Sequence, residues 1–298
     1  METTSYSKKI IPYIAYPALL ISGIVSHLWA VNQGWNLYIA TYAPMLTAGS
    51  IIAILEIIYP YRKKWHANIK DFSNDFTFML IVQIILPTIL SFFVSITLLN
   101  FFKTNGLNFD LFWPHSWPIL AQGILMLFIA DFFGYWVHRF AHTWSLLWRF
   151  HAVHHSPHKL YWVNVGRFHP IEKTYQYLFS TLPFLLMGVH PEVLSIYFVI
   201  YGINGFFQHC NIDVKLGPLN YIFSGPELHH WHHSKKIKES NNNYGNTLII
   251  YDLLFGTYFF PSNSSVGDLG LINRKYPLDF ISQMKTPFIK GSDKNDFS

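Results

Sequence analysis

The longest uncharged stretch of this sequence does most to limit its fold. Residues 76–100 contain no Asp, Glu, Lys or Arg over twenty-five positions. At 1.5 Å per residue, a helix of that length crosses the roughly 30 Å hydrocarbon core of a bilayer. Three further apolar runs of similar length occur at 10–30, 37–58 and 118–137. The sequence therefore predicts an all-α, polytopic membrane protein with about four transmembrane helices.

The composition agrees with a membrane protein. Hydrophobic residues make up 51% of the 298 residues and charged residues only 12%, which is about half the usual charged fraction. We attribute the net charge of +5 to cytoplasmic loops and contact with anionic headgroups, because the basic residues form no extended patch of the kind that binds nucleic acid. The single cysteine, Cys210, cannot form an intrachain disulfide and is predicted to be a small buried residue.

Loop charges predict the orientation of the spans. The loop 60–75, between the second and third spans, carries four basic residues, whereas 31–36 has none and 101–117 has only Lys103. Positively charged loops favour the cytoplasmic side, so the N-terminus and the loop 60–75 are expected there, and the fourth span also exits there. The protein is thus predicted to be integral to a bacterial inner membrane or the endoplasmic reticulum. No retrieval signal decides between the two.

A further apolar stretch, 174–207, is broken at 188–191 by Gly, Val, His and Pro. Each half is short for a membrane span, which favours a helical hairpin, either re-entrant or crossing. The chain is accordingly divided into a transmembrane region (1–137), a catalytic region that includes the hairpin (138–260) and a C-terminal tail (261–298).

Histidines cluster in three short motifs around this hairpin. The motifs have the forms HxxxH, HxxHH and HxxHH, and their members are His138, His142, His151, His154, His155, His229, His232 and His233. Residues three and four apart share one face of a helix, so the histidines within each motif point the same way. A single HxxxH pair is more often chance than a site, but three motifs in one chain indicate metal binding.

The chemistry of these side chains narrows the choice of metal. Neutral imidazole binds iron, zinc, copper and nickel, whereas magnesium and calcium require oxygen ligands that these motifs lack. Eight or nine histidines are too many for one ion, so two metals are predicted, each held by four or five histidines with room for an exogenous ligand. Such a pair suits activation of dioxygen for attack on an unactivated C–H bond.

The order of motifs along 130–260 resembles the fatty acid hydroxylase superfamily in its sterol desaturase-like branch. The matching pieces are HRFAH (138–142), HAVHHS (151–156), RFHP (167–170), QHCN (208–211), HHWHH (229–233), NYG (243–245) and FGTY (255–258). The resemblance implies a di-iron enzyme that uses dioxygen to hydroxylate or desaturate a lipid, such as a sterol, fatty acyl or sphingoid substrate. It also implies an external electron donor such as cytochrome b5 or a ferredoxin, and it adds His209 to the eight ligands above.

The roles of two residues near the motifs are left open. The superfamily often places a ligand or water-bridging group one turn before the position of His209, but this chain has Gly205 there. Neighbouring Asn204 is therefore a candidate for that role. His230 is expected to lie outside the coordination sphere, with ligation in place of His229 as the alternative.

Asp131 is a charge inside the fourth apolar run, where ionisable residues are costly and usually functional. It lies on one helical stripe with His138 and His142, so we expect its carboxylate to accept a hydrogen bond from a ligating histidine of another segment. The alternative is a salt bridge to Arg139 or Arg167. Other candidates for such supporting contacts are Asp252 and Asn243, while His169 is expected to be structural.

Other classes of protein fit less well. A zinc hydrolase is expected to carry a carboxylate within the motif, as in HExxH, and none of these motifs has one. Transporters usually bury their ligands at mid-membrane and haem ligands face each other across spans, whereas these histidines follow the spans. A non-catalytic metal-binding membrane protein or a metal transporter remains the alternative to the oxygenase.

Overall fold

The computed structural model describes residues 3–107, 109–261, 264–289 and 291–292. In this part of the chain the secondary structure is helical, and β-pairing is limited to three isolated bridges. Four helices are long and apolar enough to cross a membrane: Ile10–Asn32, Leu37–Ile58, Ile69–Phe102 and Ile119–Thr143. The predicted all-α, polytopic class is confirmed.

Twelve helices are numbered here in chain order. They are α1 (Thr3–Asn32), α2 (Leu37–Ile58), α3 (69–104), α4 (Ile119–Thr143), α5 (Ser145–His155), α6 (Pro170–Ser180), α7 (Leu182–Leu186), α8 (Pro191–His209), α9 (Pro226–His232), α10 (Ile237–Ser240), α11 (Ile250–Leu254) and α12 (Phe280–Lys285). Short 3-10 turns lie at Lys63–Trp65, Asp110–Phe112, Trp162–Gly166, Gly217–Tyr221 and Thr286–Phe288.

The third span begins earlier than the apolar run 76–100 suggests. A capping box starts α3, since the Asn68 side chain accepts from the Asp71 amide and the Asp71 side chain accepts from the Asn68 amide. Two π-helical segments, Met79–Ile85 and Ser91–Ser95, lie within the span. Only 12% of its most apolar window is buried inside the protein, so most of its side chains are left for lipid.

The core of the membrane part is built by α1, α2, α4 and α8. Close helix approach depends on small residues in such bundles. At Gly123 of α4, an added Cβ atom would lie 2.6 Å from Ile196 Cγ2 of α8, so a larger residue would push these two helices apart. This packing sets α8 beside α4, and both helices end at the histidine motifs.

The predicted break within 174–207 is confirmed. Helices α6 and α7 end before Gly188, which has φ +66°, and α8 begins at Pro191. Gly tolerates this left-handed conformation at little cost, and Pro is favoured in the first turn of a helix. Both Pro170–Ser180 and Pro191–His209 pack against α4, and the hairpin and its crossing of the membrane stay predictions.

Segments from distant parts of the sequence pack together next to the spans. We call this region, the described residues of 144–169 and 210–289, the cap. Glu56, at the end of α2, accepts hydrogen bonds from the amides of Trp162 and Asn211. Arg167, in turn, binds Asp75 of α3 and Gln283 of α12. The described part of the C-terminal region thus folds against the rest of the cap.

Candidate metal centre

Nine histidine side chains converge in two adjacent groups where α4 and α8 meet the cap. One potential ligand atom from each member lies within 4.8 Å of those of the other members of its group. The first group contains His138, His142, His151, His155 and His232, and the second contains His154, His209, His229 and His233. All are buried except His138, which is partly exposed. The structure thus brings together all nine side chains that were predicted as ligands.

Helix geometry explains how the motifs are shared between the groups. Residues four apart point the same way, so His151 and His155 join the five-histidine group, as His229 and His233 join the four-histidine group. His154 and His232 each point to the opposite group from their motif neighbours, so the prediction that all histidines of a motif point the same way is wrong for both HxxHH motifs. Helices α5 and α9 therefore lie between the two groups and contribute to both.

The Nε2 atoms face inward at a spacing that suits one ion per group. Neighbouring Nε2 atoms are 3.1 Å apart in the pairs His138–His151, His142–His155, His155–His232, His209–His229 and His229–His233. Two ligands at right angles on one ion, with bonds of about 2.1 Å, lie about 3.0 Å apart. The donor set and its spacing therefore fit a nitrogen-ligated transition metal in each group.

Most of the Nδ1 atoms, which point away from the centre of their group, donate hydrogen bonds to oxygen acceptors. The Nδ1 atom of His151 lies 2.6 Å from Glu172 Oε1, and that of His209 lies 2.8 Å from Asn164 Oδ1. Further acceptors are Asn241 Oδ1 for His142 and backbone carbonyls for His138, His154 and His232. A proton held on Nδ1 leaves the Nε2 lone pair free to point inward.

Sequence reasoning missed Glu172, Asn164 and Asn241 as supporting residues. Glu172 carried a usable signal, since it is a lone carboxylate at the start of an apolar segment and lies two residues after RFHP. Asn241 belongs to an asparagine run in a loop, whereas nothing in the sequence distinguishes Asn164. By contrast, Nδ1 of His229 and of His233 is buried without a partner within the described residues.

Burial keeps these histidines neutral. It lowers the pKa of His154 to about 3 and the pKa values of His151, His155 and His232 well below the usual range, because a charged imidazole loses its hydration there. Neighbouring histidines add repulsion between charged forms. The site can therefore bind a metal ion at neutral pH without first releasing protons from these rings.

The predicted hydrogen bond between Asp131 and a histidine is wrong. Asp131 Oδ2 instead accepts from the amides of Thr247 and Leu248, at 2.9 and 2.5 Å. Asp131 lies seven residues before His138, about 10 Å along the helix axis, and so meets the loop before α11 instead of the metal groups. No salt bridge to Asp131 occurs among the described residues, so the alternative pairing with Arg139 or Arg167 is also wrong.

The placement of Asn204 beside His209 as a partner at the metal is likewise wrong. Its Oδ1 accepts from the Tyr16 hydroxyl at 2.6 Å, and its Nδ2 donates to the carbonyl of Asn246 at 3.0 Å. Five residues correspond to about 140° around a helix, so Asn204 faces away from His209. Gly205, one turn before His209, faces Val165.

Several remaining candidates are structural. His230 Nε2 lies 3.0 Å from the Cys210 carbonyl and its ring packs on Trp65, so it points out of the metal groups. Cys210 is buried, as predicted. His169 caps α6 by accepting from the Ile171 amide.

Asp252 and Asn243 support the site indirectly. The Asp252 carboxylate accepts from the amides of Tyr244 and Gly245, both at 2.8 Å. Asn243, at φ +56°, donates to two carbonyls and accepts from the Phe259 amide. Together they fix the loop whose Tyr244 carbonyl meets His138 Nδ1 at 2.8 Å.

Known proteins resemble this chain across the site and beyond it. The chain is 35% identical to an ornithine lipid hydroxylase of Rhizobium tropici over 94% of its own length and 85% of the relative. It is 28% identical to the alkylglycerol monooxygenase of Homo sapiens over 68% of the chain and 43% of the relative. A very-long-chain aldehyde decarbonylase of Oryza sativa is 27% identical over 68% of the chain and 75% of the relative.

No solved structure matches the chain with significance. The sequence model of one family, described as fatty acid hydroxylase, matches residues 123–257, a range that contains all nine converging histidines. This match and the near full-length similarity to the Rhizobium enzyme together establish the family of the chain. The chain belongs to the fatty acid hydroxylase family.

Proposed function

We propose that this protein is a di-iron lipid hydroxylase of the membrane. The observation that carries the proposal is the pair of adjacent histidine groups, with five and four potential ligand atoms that lie within 4.8 Å of one another in each group. The groups lie where α4 ends, so a lipid in the bilayer has a short path to them. His138, His142, His151, His155 and His232 would hold one ion, and His154, His209, His229 and His233 the other.

When bound, the two irons supply the reduction of dioxygen with external electrons and protons, so that one oxygen atom enters a C–H bond and the other leaves as water. The chain itself supplies orientation and exclusion of water. Acceptors such as Glu172 and Asn164 keep Nδ1 protonated and Nε2 free. Burial of eight of the nine rings restricts water access to the site.

The substrate we propose is a lipid of the ornithine type, or another lipid with an amino-acid headgroup. The support is the similarity to the ornithine lipid hydroxylase, which runs along nearly the whole of both chains. Similarity to the monooxygenase and the decarbonylase is lower and covers less of this chain. Hydroxylation is preferred over desaturation because two of these three relatives are named for oxygen insertion.

The electrons would come from a separate protein such as cytochrome b5 or a ferredoxin. An iron–sulfur cluster requires several cysteine ligands, and this sequence has one cysteine. We further propose that the histidine groups face the cytoplasm, which is supported by the basic residues of the loop 60–75 next to the cap.

Metal and product analysis test this function. Purified wild-type protein should contain about two equivalents of iron, and the double variant His154→Ala with His232→Ala should lose most of it, since each substitution removes a ligand from one group. Cells that make ornithine lipids and express the wild type should accumulate a lipid heavier by one oxygen atom. One equivalent of iron or less in iron-supplied wild type, or no oxidised lipid, would contradict the proposal.

A further inference from the structure

A charged and incompletely paired cluster lies on the first turns of α6, next to the metal centre. Glu172 uses Oε1 for His151 Nδ1 at 2.6 Å and for Gln176 Nε2 at 3.1 Å. Its Oε2 is buried and has no hydrogen-bond partner among the described residues, and neither has the buried hydroxyl of Tyr175. Unpaired buried polar atoms are costly, so these two atoms indicate a ligand or water that pairs with them.

The Lys173 ammonium adds a positive charge to this cluster. Its Nζ atom lies 5.9 Å from the ring centre of Phe168 and 5.8 Å from that of Tyr201. The Phe168 ring in turn stacks on His154 with centroids 4.2 Å apart. Only one aromatic ring therefore separates the ammonium from the four-histidine group.

Lys173 and Glu172 do not neutralise each other by contact. Within the described residues, no carboxylate oxygen lies within 4.0 Å of Lys173 Nζ, although Lys side chains of the cap do pair with Asp side chains. The half-buried ammonium and the free carboxylate oxygen belong to adjacent residues in the first turn of α6, and they offer one positive and one negative binding position next to the metal centre. Such a pair fits a ligand that itself carries both charges.

We propose that Lys173 and the free oxygen of Glu172 bind the zwitterionic headgroup of the lipid substrate. Lys173 receives the headgroup carboxylate, and Glu172 Oε2 receives the ammonium. The inference rests on the proposed function and narrows it, because a headgroup with a free carboxylate and an ammonium is that of an amino-acid lipid such as ornithine lipid. A phosphate with an ammonium, as in phosphatidylethanolamine, carries related charges and is the competitor to be distinguished.

The test measures binding without turnover. Full-length, metal-loaded protein in nanodiscs is kept free of dioxygen, and bound lipid is counted by native mass spectrometry in competition experiments. The probes are ornithine lipid, its carboxyl methyl ester and phosphatidylethanolamine with the same chains. Wild type should prefer ornithine lipid over both competitors by about tenfold or more, because the methyl ester loses the charge that pairs with Lys173, and phosphatidylethanolamine replaces the terminal carboxylate by a larger, doubly esterified phosphate.

Variants separate the binding role from a structural one. Lys173→Met should weaken binding of ornithine lipid by about tenfold or more, while Lys173→Arg should retain most of it because the charge is kept. Lys275→Met, at an exposed lysine of the cap, is the matched control and should bind as the wild type does. Metal content of all variants should be equal, which excludes misfolding as the cause.

Two results would overturn the headgroup site. One is equal binding of the methyl ester or of phosphatidylethanolamine to wild type, and the other is a Lys173→Met variant that binds ornithine lipid within about twofold of wild type. Admission of dioxygen then tests the function separately. Binding through Lys173 without an oxidised product would refute the hydroxylase and leave the headgroup site standing, whereas product formation with unchanged binding by Lys173→Met would do the reverse.

Discussion

His155 and His233 stack face to face, with ring centroids 4.4 Å apart and ring planes 20° apart, although they belong to different histidine groups. His155 also places its Nε2 atom 3.1 Å from the Nε2 atoms of His142 and His232. The two groups are therefore in contact through the stacked rings of His155 and His233. A change in either ring affects the geometry of both metal sites.

Because His155 contacts both groups, we expect His155→Ala to lower the iron content by an unusually large amount. The five-histidine group loses a ligand, and His233 of the four-histidine group loses the ring that orients it, so more than half of the bound iron should be lost. Elemental analysis of purified protein measures this. His230→Ala is the matched control in the third motif and should keep both metals, because His230 points to the Cys210 carbonyl. Equal iron loss in the two variants would contradict the assignment of ligands.

Glu172→Gln should weaken metal binding while leaving the fold intact. The carboxylate accepts from His151 Nδ1 at 2.6 Å, and its negative charge strengthens His151 as a ligand. Loss of such a partner typically costs about 10- to 100-fold in metal affinity. Competition with a chelator measures the change, and Glu239→Gln, at a glutamate that pairs with Lys236, is the control. An affinity unchanged from wild type would show that the carboxylate has no such role.

Asp131→Ala should lower stability instead of metal affinity. Two backbone amides, of Thr247 and Leu248, lose their acceptor in a buried position, which should cost about 3 kcal/mol of unfolding free energy. Asp131→Asn keeps a carbonyl acceptor and should cost less. Thermal unfolding in detergent compares the two variants with wild type. Loss of iron from Asp131→Asn at an unchanged midpoint would restore the hypothesis of a bond to a histidine.

Acid should destabilise the protein through its buried neutral histidines. Burial lowers the pKa of His230 to about 4 from an unfolded value of 6.5, so the unfolded chain binds the proton more tightly. The stability contributed by neutral His230 is fully present above pH 6.5 and is lost as the pH falls toward 4, by up to about 3 kcal/mol. Thermal midpoints between pH 7 and 4 should fall less steeply for His230→Phe than for wild type. Parallel slopes would contradict this assignment.

Metal binding, in contrast, should change little in mild acid. The pKa of His154 is lowered to about 3, so this ring stays neutral at pH 5, where an exposed histidine would be largely protonated. Metal-depleted protein should therefore take up iron or zinc at pH 5 nearly as well as at pH 7. Uptake that falls away with a midpoint near 6.5 would indicate that these rings are exposed to solvent in the metal-free protein.

The sequence by itself determined the membrane class, the four spans, the break at Gly188 and eight of the nine histidines, while His209 came from the family resemblance. These features are local: a run of uncharged residues has to be helical in lipid, and residues three or four apart share a helical face. For the same reason, spacing alone placed His138 and His142 side by side in one group.

Only the tertiary structure determined which histidines belong to each group and which acceptors bind their Nδ1 atoms. The separation of His154 from His155, and of His232 from His233, depends on how α5 and α9 pack between the two groups. The acceptor for His151 lies on α6, twenty-one residues away, and that of His138 lies 106 residues away. Asp131 and Asn204 share helices with ligands, but their partners come from the loop before α11 and, for Asn204, also from Tyr16 of α1. Helical periodicity fixes the direction of a side chain, and only the packing of distant segments determines what it meets.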